Sequence, residues 1–495
     1  MKMKNNIFKA IVAFGLIASL TVSCSDEFVD RKPTYSIDSE NYFNSKEEYD
    51  LALVAAYDLL QSTYVNVLLG EIASDNTLSG GESANDTPGF QQIDEMIHTP
   101  VNSNLKNVWD WMFAGVNRCN YILEFKDKTD FEGKEQVIAQ ARFLRAYYHF
   151  ELVKWFGGIP LKGDARFRLG DESTIPRSTK EEVYASIEAD LLFAIDNLST
   201  IPAQQGRVTK GAAQALLGKA YLFQDKFAES AAILENLINV TGGYSLVTDY
   251  NTIFEHAGEN GPESIFEVQY TDIEGAGFGC LQCSEGNVAV GFSGVRNYSG
   301  PLFSSGYSFN VPTQEAYDSF DDDDLRKDVA ILDIVAWAAQ TGATYGEGYK
   351  HTGYFNKKYI PRTRSAGSQG DLNLTNPNNY RAIRYADVLL MAAEAFNRGG
   401  IDETKARTYL NLVRRRAFGD TNHDINGSGA TLTTFIWEER RRELMGEGHR
   451  FFDLVRTGRA AIEIEGFSSN KNEVFPIPIE EIQFSNGNWS QNTGY

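Results

Sequence analysis

The chain of 495 residues carries a formal charge of -21, from 67 Asp and Glu against 46 Lys and Arg. That balance excludes a surface built for phosphate backbones and disfavours attachment by attraction to anionic lipid. An apolar fraction of 42% provides for a large core, and 24 tyrosines with 31 phenylalanines leave rings over for the surface, where aromatic faces can bind.

Residues 1–23 read as a secretory signal peptide. Lys2, Lys4 and Lys9 make the positive start, Ile11–Leu20 make a short apolar stretch, and small residues lead into Cys24. The apolar stretch is too short for a stable transmembrane helix. A cysteine directly after a small residue at the cleavage point resembles a bacterial lipobox. Cys24 then becomes the lipidated first residue of the mature chain, and several acyl chains anchor it stably. An ordinary signal peptide with an incidental cysteine is the alternative. The segment SDEFVD at 25–30 resembles the acidic signal that sorts some lipoproteins to the outer face of the outer membrane. Residues 24–44 are expected to be an anchor and extended segment, and 45–495 a single domain.

Ser45-x-x-Glu48 is a capping-box pattern that opens a helix reaching about residue 63. Residues 70–100, rich in Gly, Ser, Asn, Asp and Thr, read as a long ordered loop. A helix follows over 104–125. Another spans 133–156, with Val137, Ala141, Leu144, Tyr148 and Leu152 on one stripe and Gly157, Gly158 and Pro160 as the stop. Ser178-x-x-Glu181 predicts the cap of a helix running to about residue 198. The clearest repeat is 211–238, where Leu217, Gly218 and Tyr221 match the first-helix core of a tetratricopeptide repeat. Small residues Ala212, Ala215 and Gly218 let a second helix approach, and such a pair needs stacked neighbours. A second helical pair is predicted at 381–397 and 403–417. The fold class is therefore mostly α, with stacked tetratricopeptide-like helix pairs over about 45–240 and 379–458. Between them, 242–375 reads as a loop-rich, small-sheet insertion with strand-like pieces such as 264–270 and glycine-rich aromatic runs. The chain from Gly466 onward is mostly irregular.

The most charged stretch, 436–458, holds Arg440, Arg441, Arg442, Arg450 and Arg456 against five acids. Ile436, Arg440 and Leu444 share a helical stripe, so Arg440 is expected to be buried and must be paired. Glu438 and Arg442 are placed for an i,i+4 pair. Gly446 and Gly448 end the helix, and Phe451, Phe452, Leu454 and Val455 start a new apolar cluster. A structural charge network is favoured here over a catalytic one.

No G-x-S-x-G, Walker loop or H-E-x-x-H occurs. Of the six histidines, His149 lies among aromatics and reads as a packed core residue. Cys119 reads as a small buried hydrophobe. Cys280 and Cys283, in CLQC, read as a small disulfide loop in an exported protein, with free thiols as the alternative. A redox C-x-x-C would need a strand-to-helix context, and zinc would need two further ligands, with only His256 and Glu285 as candidates. Asp321–Asp324 read as charge and capping before a helix. Residues 420–427 alternate acids and amides as calcium loops do, but the glycine comes two places late and no glutamate closes the loop, so a solvated turn is expected. No cofactor is expected, and the pattern does not support a structural calcium ion.

Several separated stretches resemble one family. ARFLRAYYHFELVKWFGGIPL at 141–161, ESIFEVQ at 263–269, FNVPTQ at 309–314, RYADVLLMAAE at 384–394 and LVRRRA at 412–417 resemble its signatures. So do WEERRRELMGEGHRFFDLVRTG at 437–458, FPIP at 475–478 and QNTGY at 491–495. The chain is identified on these as a member of the SusD/RagB family of outer-membrane nutrient-binding lipoproteins. The resemblance implies a SusD-like fold of helical repeats whose irregular insertions carry the ligand site. It implies a non-catalytic protein, lipid-anchored at the cell surface through Cys24. Such a protein captures oligosaccharide or polysaccharide as a lid on a SusC-like TonB-dependent transporter, with no nucleic-acid partner. Peptide or another nutrient as cargo is the first alternative. A lipid-anchored glycoside hydrolase, whose paired carboxylates need only spatial closeness, is the second.

Sugars present apolar C–H faces and polar edges, which aromatic plates with nearby amides and charges satisfy together. From the loops at 70–100, 275–310 and 337–354 the candidate contacts are Asp75, Asn76, Phe90, Phe278, Arg296, Tyr298, Trp337 and Tyr349. No family motif carries them over, and loop packing is the competing reading for each.

Overall fold

A computed structural model describes residues 41–275, 277–362, 367 and 369–495. The signal peptide and the Cys24 lipidation position lie outside the described residues. The first half is helical: α1 (Lys46–Asp58), α2 (Tyr64–Ile72), α3 (Pro88–Asp94), α4 (Ser103–Glu124), α5 (Lys134–Phe156), α6 (Lys180–Asn197), α7 (Lys210–Leu222) and α8 (Phe227–Asn236). The insertion carries the short helices α9 (Val288–Ser293), α10 (Gln314–Asp318), α11 (Lys327–Ala330) and α12 (Ile334–Thr341). The second helical region holds α13 (Tyr385–Arg398), α14 (Glu403–Phe418), α15 (Gly429–Glu443) and α16 (Arg450–Arg456), followed by α17 (Ala460–Glu463) and α18 (Ile479–Phe484).

Local sequence explains most boundaries. Ser45 Oγ accepts from the Glu48 amide, but the Glu48 carboxylate reaches back to the Asn44 amide, so the predicted box is shifted outward by one donor. Asn102 Oδ1 caps α4 by accepting from the amides of Asn104 and Leu105. The cap of α6 is Thr179 with Glu182, one residue beyond the predicted Ser178–Glu181 pair; both halves of that box form, at 3.2 and 2.8 Å. Helix α5 is buried on nearly every side, as a helix apolar all round must be, and Gly157 at φ 72° stops it. In the repeat pair α7–α8, a Cβ on Gly218 would lie 2.4 Å from Leu234 Cδ2. Glycine there is a condition of the close helix approach, which the Ser230 hydroxyl fastens by donating to the Gly218 carbonyl.

Each helix packs on the next: α4 on α5, α5 on α6, α6 on α7 and α7 on α8. Helix α8 then packs on α13, which also holds α14 and α15, so the two repeat regions form one stack around a shared apolar core. The predicted helical start at residue 381 is corrected by the structure. Residues Tyr380–Arg384 are a strand, antiparallel to Ser264–Val268, and the helix begins at Tyr385. Every residue of that strand is buried, so pairing with a second buried segment overrides the helical reading. Two further two-stranded antiparallel pairs, Thr77–Leu78 with Val311–Pro312 and Ile331–Asp333 with Tyr354–Asn356, fasten the insertion. The insertion has a small core of its own, in which Val295, Tyr298, Phe303 and Phe355 take part.

Within 436–458, Gly446 and Gly448 both take φ 82°, the left-handed turn that lets α15 end and α16 begin. Arg440 is buried and pairs with Asp387 at 2.7 Å and Asp453 at 3.1 Å. The expected Glu438–Arg442 pair does not form: Glu438 meets Arg459 at 2.9 Å, and Arg442 donates to the Ser319 carbonyl. Tertiary partners outcompete an i,i+4 contact worth only a few tenths of a kcal/mol, about 0.2–0.5 in isolated helices. Asp324 is likewise not a helix cap. It is fully buried and holds Arg326 at 2.7 Å. Residues 420–427 are a turn in which Asp424 pairs with Arg415 and Asp420 with His423. Among the described residues no group of three or more His, Cys, Asp or Glu is placed to hold a metal.

Candidate functional site

The densest set of neighbouring rings lies where the insertion meets the N-terminal helices. Helix α9 delivers Phe292. The extended segment after Gly306 is tied to it, with the amides of Tyr307 and Phe309 donating to the carbonyls of Gly291 and Phe292. Ser308 between them has φ 57°, and the two rings stack at 5.5 Å, tilted by only 15°. Phe90 of α3 meets Phe292 and Phe309 edge-on at 6.1 and 5.9 Å, and Tyr64 of α2 meets Phe292 at 6.2 Å. Phe278 lies two residues before the loop closed by the Cys280–Cys283 disulfide, in a turn that the Cys280 amide closes by donating to the Gly277 carbonyl, and stands 5.5 Å from Tyr307 and 6.5 Å from Phe292. Phe90, Phe292 and Phe309 are buried and form the backing layer. Tyr307 is half-buried and Phe278 is 58% exposed, so these two present the outer surface.

Polar groups ring this wall. Asn104 and Asn107 of α4, Glu82, Asp86, Thr87 and Arg296 complete a cleft of about 430 Å³. Arg296 donates to the Tyr307 carbonyl at 2.8 Å and to Asp86 at 3.3 Å, and its Nε is buried without a partner. Tyr307 Oη donates to Asp371 at 3.2 Å; burial pushes its phenol above the ordinary range, so it remains a neutral donor. Flat apolar rings beside amides, a hydroxyl and one guanidinium suit a ligand with apolar faces and many hydroxyl edges.

A larger cleft, about 1000 Å³, differs in chemistry. Asp75, Asp94, Glu95, Glu315, Glu463 and Glu465 line it against Lys350 and Arg441, and no aromatic ring is among its lining residues. Size alone would favour it; the means to grip a sugar face favour the ring-lined cleft.

The eight candidates from sequence divide accordingly. Phe90, Phe278 and Arg296 come together in the ring-lined cleft. Asp75 is held by Arg450, with both contacts at 2.8 Å, and by Arg441 at 3.2 Å. Burial raises its carboxyl, but the Arg450 hydrogen bonds and the two positive charges outweigh that and keep it below the ordinary carboxylate range. Asn76 is fully buried and accepts from Arg441 Nε at 2.8 Å. Tyr298 donates to the Pro301 carbonyl and accepts from Trp337 Nε1, and Trp337 packs on Phe303, so both belong to the insertion's small core. Tyr349 is pinned through its amide to the Gly81 carbonyl, outside the lining of the cleft. Sequence reasoning missed Tyr64, Asp86, Asn104, Asn107, Phe292, Tyr307 and Phe309. The last three lie in runs already marked by glycines and rings, whereas Asn104 and Asn107 sit on a helix that reads as scaffold and Tyr64 falls just past the predicted end of the first helix.

The remaining chemistry-bearing residues are structural in their surroundings. His149 is buried with both ring nitrogens unpartnered, and burial lowers its pKa to about 3, so it is neutral. Cys119 is buried in the core.

Comparison with known proteins places these observations. Residues 332–474 match the model of the SusD family, and residues 27–222 match a model described as starch-binding associating with outer membrane. The SusD-like protein P2 of Formosa agariphila is 26% identical, covering 98% of this chain and 99% of that protein. Among solved structures, a laminarin binding SusD-like protein is 33% identical with a TM-score of 0.83, covering 92% of this chain and all of that one. Surface glycan-binding protein A from Bacteroides thetaiotaomicron, in complex with laminarihexaose, is 28% identical with a TM-score of 0.79, covering 90% of this chain and 99% of that one.

Proposed function

The chain belongs to the SusD family, and from that membership we propose that it binds oligosaccharide or polysaccharide and delivers it to a SusC-like TonB-dependent outer-membrane transporter. The observation that carries the reading is the two-layered ring wall, with Phe278 and Tyr307 presented outward over buried Phe90, Phe292 and Phe309. A neutral β-1,3-glucan of the laminarin type is the first ligand to test, because relatives named for laminarin or solved with laminarihexaose share 33% and 28% of their sequence with this chain. The acids at the cleft, Glu82 and Asp86, face Arg296, an arrangement suited to orienting a ligand. The protein acts without catalysis, and energy for import comes from the transporter. A lipid on Cys24 holds it at the outer face of the outer membrane.

A soluble form beginning after Cys24 is expected to be retarded in gels containing laminarin and to release no product. Release of shortened sugars would turn the reading to a glycoside hydrolase, and retention of peptides alone would turn it to another nutrient. Cys24→Ser is expected to release the protein from membranes; continued tight association would refute the anchor.

A further inference from the structure

Phe278 lies on a turn that little else holds. Its neighbours Gly277 and Gly279 have nothing within 4 Å of where a Cβ would sit, so neither position is packed on its side-chain side. Glycines in such a position leave the chain free to sample many conformations. Among the described residues the restraints are the Cys280 amide donating to the Gly277 carbonyl at 3.1 Å, the Ser284 amide donating to the Leu281 carbonyl at 3.3 Å, the half-buried Leu281 against the core, the ring contacts with Tyr307 and Phe292, and the Cys280–Cys283 bond. Both cysteines are exposed, so a dissolved dithiol can reach the bond. The ring this turn carries is the most exposed aromatic of the cleft, standing edge-on to Tyr307.

We propose that the Cys280–Cys283 bond sets the affinity of the cleft by holding Phe278 out beside Tyr307 as a platform for the apolar face of one sugar unit. This inference rests on the glycan reading of the cleft. Phe278 is the residue that touches ligand, and the two cysteines are positioning residues. With the bond intact the ring is already in place, and binding carries no further cost of ordering it. Reduction proceeds by attack of a dithiol's thiolate on one Sγ, giving a mixed disulfide and freeing the other cysteine as thiolate. The second thiol of the reagent then closes on the first to form a cyclic disulfide, leaving two protein thiols after protonation. The loop then pivots on its glycines, and the ring must be ordered by each binding event.

The test is titration with laminarihexaose of the oxidised protein, the protein reduced with dithiothreitol, Cys280→Ser/Cys283→Ser and Phe278→Ala, with thiol labelling to verify each state. Reduction and the double serine variant are each expected to weaken binding by about three- to tenfold, chiefly through faster dissociation. Phe278→Ala is expected to weaken it by about tenfold. The discriminating arm is reduction of Phe278→Ala, which has no ring left to position and is expected to show no further loss. Equal affinity before and after reduction, or the same loss on reduction in Phe278→Ala as in the wild type, would overturn the proposal while leaving the cleft intact. Failure of the oxidised wild type to bind any glycan would instead remove the cleft reading and this inference with it.

Discussion

Arg384 and Tyr307 belong to one fold but to opposite kinds of surroundings. Around Arg384 most polar atoms are matched, with Arg416 Nε an exception among the described residues. It donates to Glu263 at 2.6 Å, to Glu443 at 2.9 Å and to Glu447 at 2.7 Å, all buried. Arg416 shares Glu263 and Glu443, Lys358 shares Glu447, and Arg326 joins Glu439 and Glu443 to Asp324. Burial works against ionised Glu443, but Arg416, Arg384 and Arg326 outweigh it and hold the carboxyl well below its usual range. The ring-lined cleft inverts this pattern. Few charges line it, Glu82 and Asp86 with Arg296, and Phe278 leaves most of its surface to solvent. A network closed on itself offers nothing to a ligand, whereas a wall with unfilled contacts does. Substitutions in the two regions should therefore separate stability from binding.

The largest effect is expected at the closed network. Arg384→Met leaves Glu263, Glu443 and Glu447 each one buried cation short, although Arg416, Arg326 and Lys358 still reach them; breaking such a buried network costs about 3–5 kcal/mol, and chemical unfolding should register it. Any protein that still folds should bind glycan with unchanged affinity; a specific loss of binding would contradict the division. Tyr307→Ala is the counterpart. Glycan titration should show affinity falling about tenfold, while the half-buried ring and its bond to Asp371 cost only about 1–2 kcal/mol of stability, less than the network variant.

Glu71 sharpens the contrast by pH. Its Oε1 accepts from the Gly448 amide, but among the described residues Oε2 is buried without a partner and no ion pair reaches it. Burial raises its pKa to about 7, against about 4.3 for an unfolded glutamate. The folded state thus holds its proton more tightly. Its contribution is full below about pH 4.3 and is lost as pH rises through 7, on the order of 3–4 kcal/mol in all. Glu71→Gln keeps the acceptor and adds a donor beside the unpartnered oxygens of Asn287 and Asn310, which line the same small cavity. Unfolding measured at pH 5 and pH 8 should show the variant more stable than wild type only at the higher pH. A gain equal at both would refute the assignment. The smallest effect belongs to Tyr298→Phe, which removes hydrogen bonds to Pro301 and Trp337 for about 1 kcal/mol of stability. It should leave glycan titration unchanged.

Sequence exposed the two regions unequally. The paired fate of Arg440 followed from an arginine on an apolar stripe, and the tetratricopeptide-like approach followed from Gly218, because both rest on local periodicity. The partners themselves, Asp387 and Glu263 among them, lie far along the chain, and no local spacing reveals them. Phe90, Phe278 and Arg296 were legible as rings and charge in glycine-rich loops. Tyr298 and Trp337 carried the same signal yet pack on each other, since an aromatic in a loop can close a small core as readily as line a cleft. Asn104 and Asn107 were hidden by the opposite prejudice, that helices only support. Strand 380–384 was mistaken for helix because its partner lies more than a hundred residues earlier.

The most direct test is equilibrium titration with laminarihexaose of the wild type beside Phe278→Ala/Tyr307→Ala. Saturable one-to-one binding by the wild type is expected, about ten- to a hundredfold weaker in the double variant because the two touching rings need not lose independently, with a protein that still unfolds cooperatively. Undiminished binding by the double variant would place the glycan elsewhere and contradict the account.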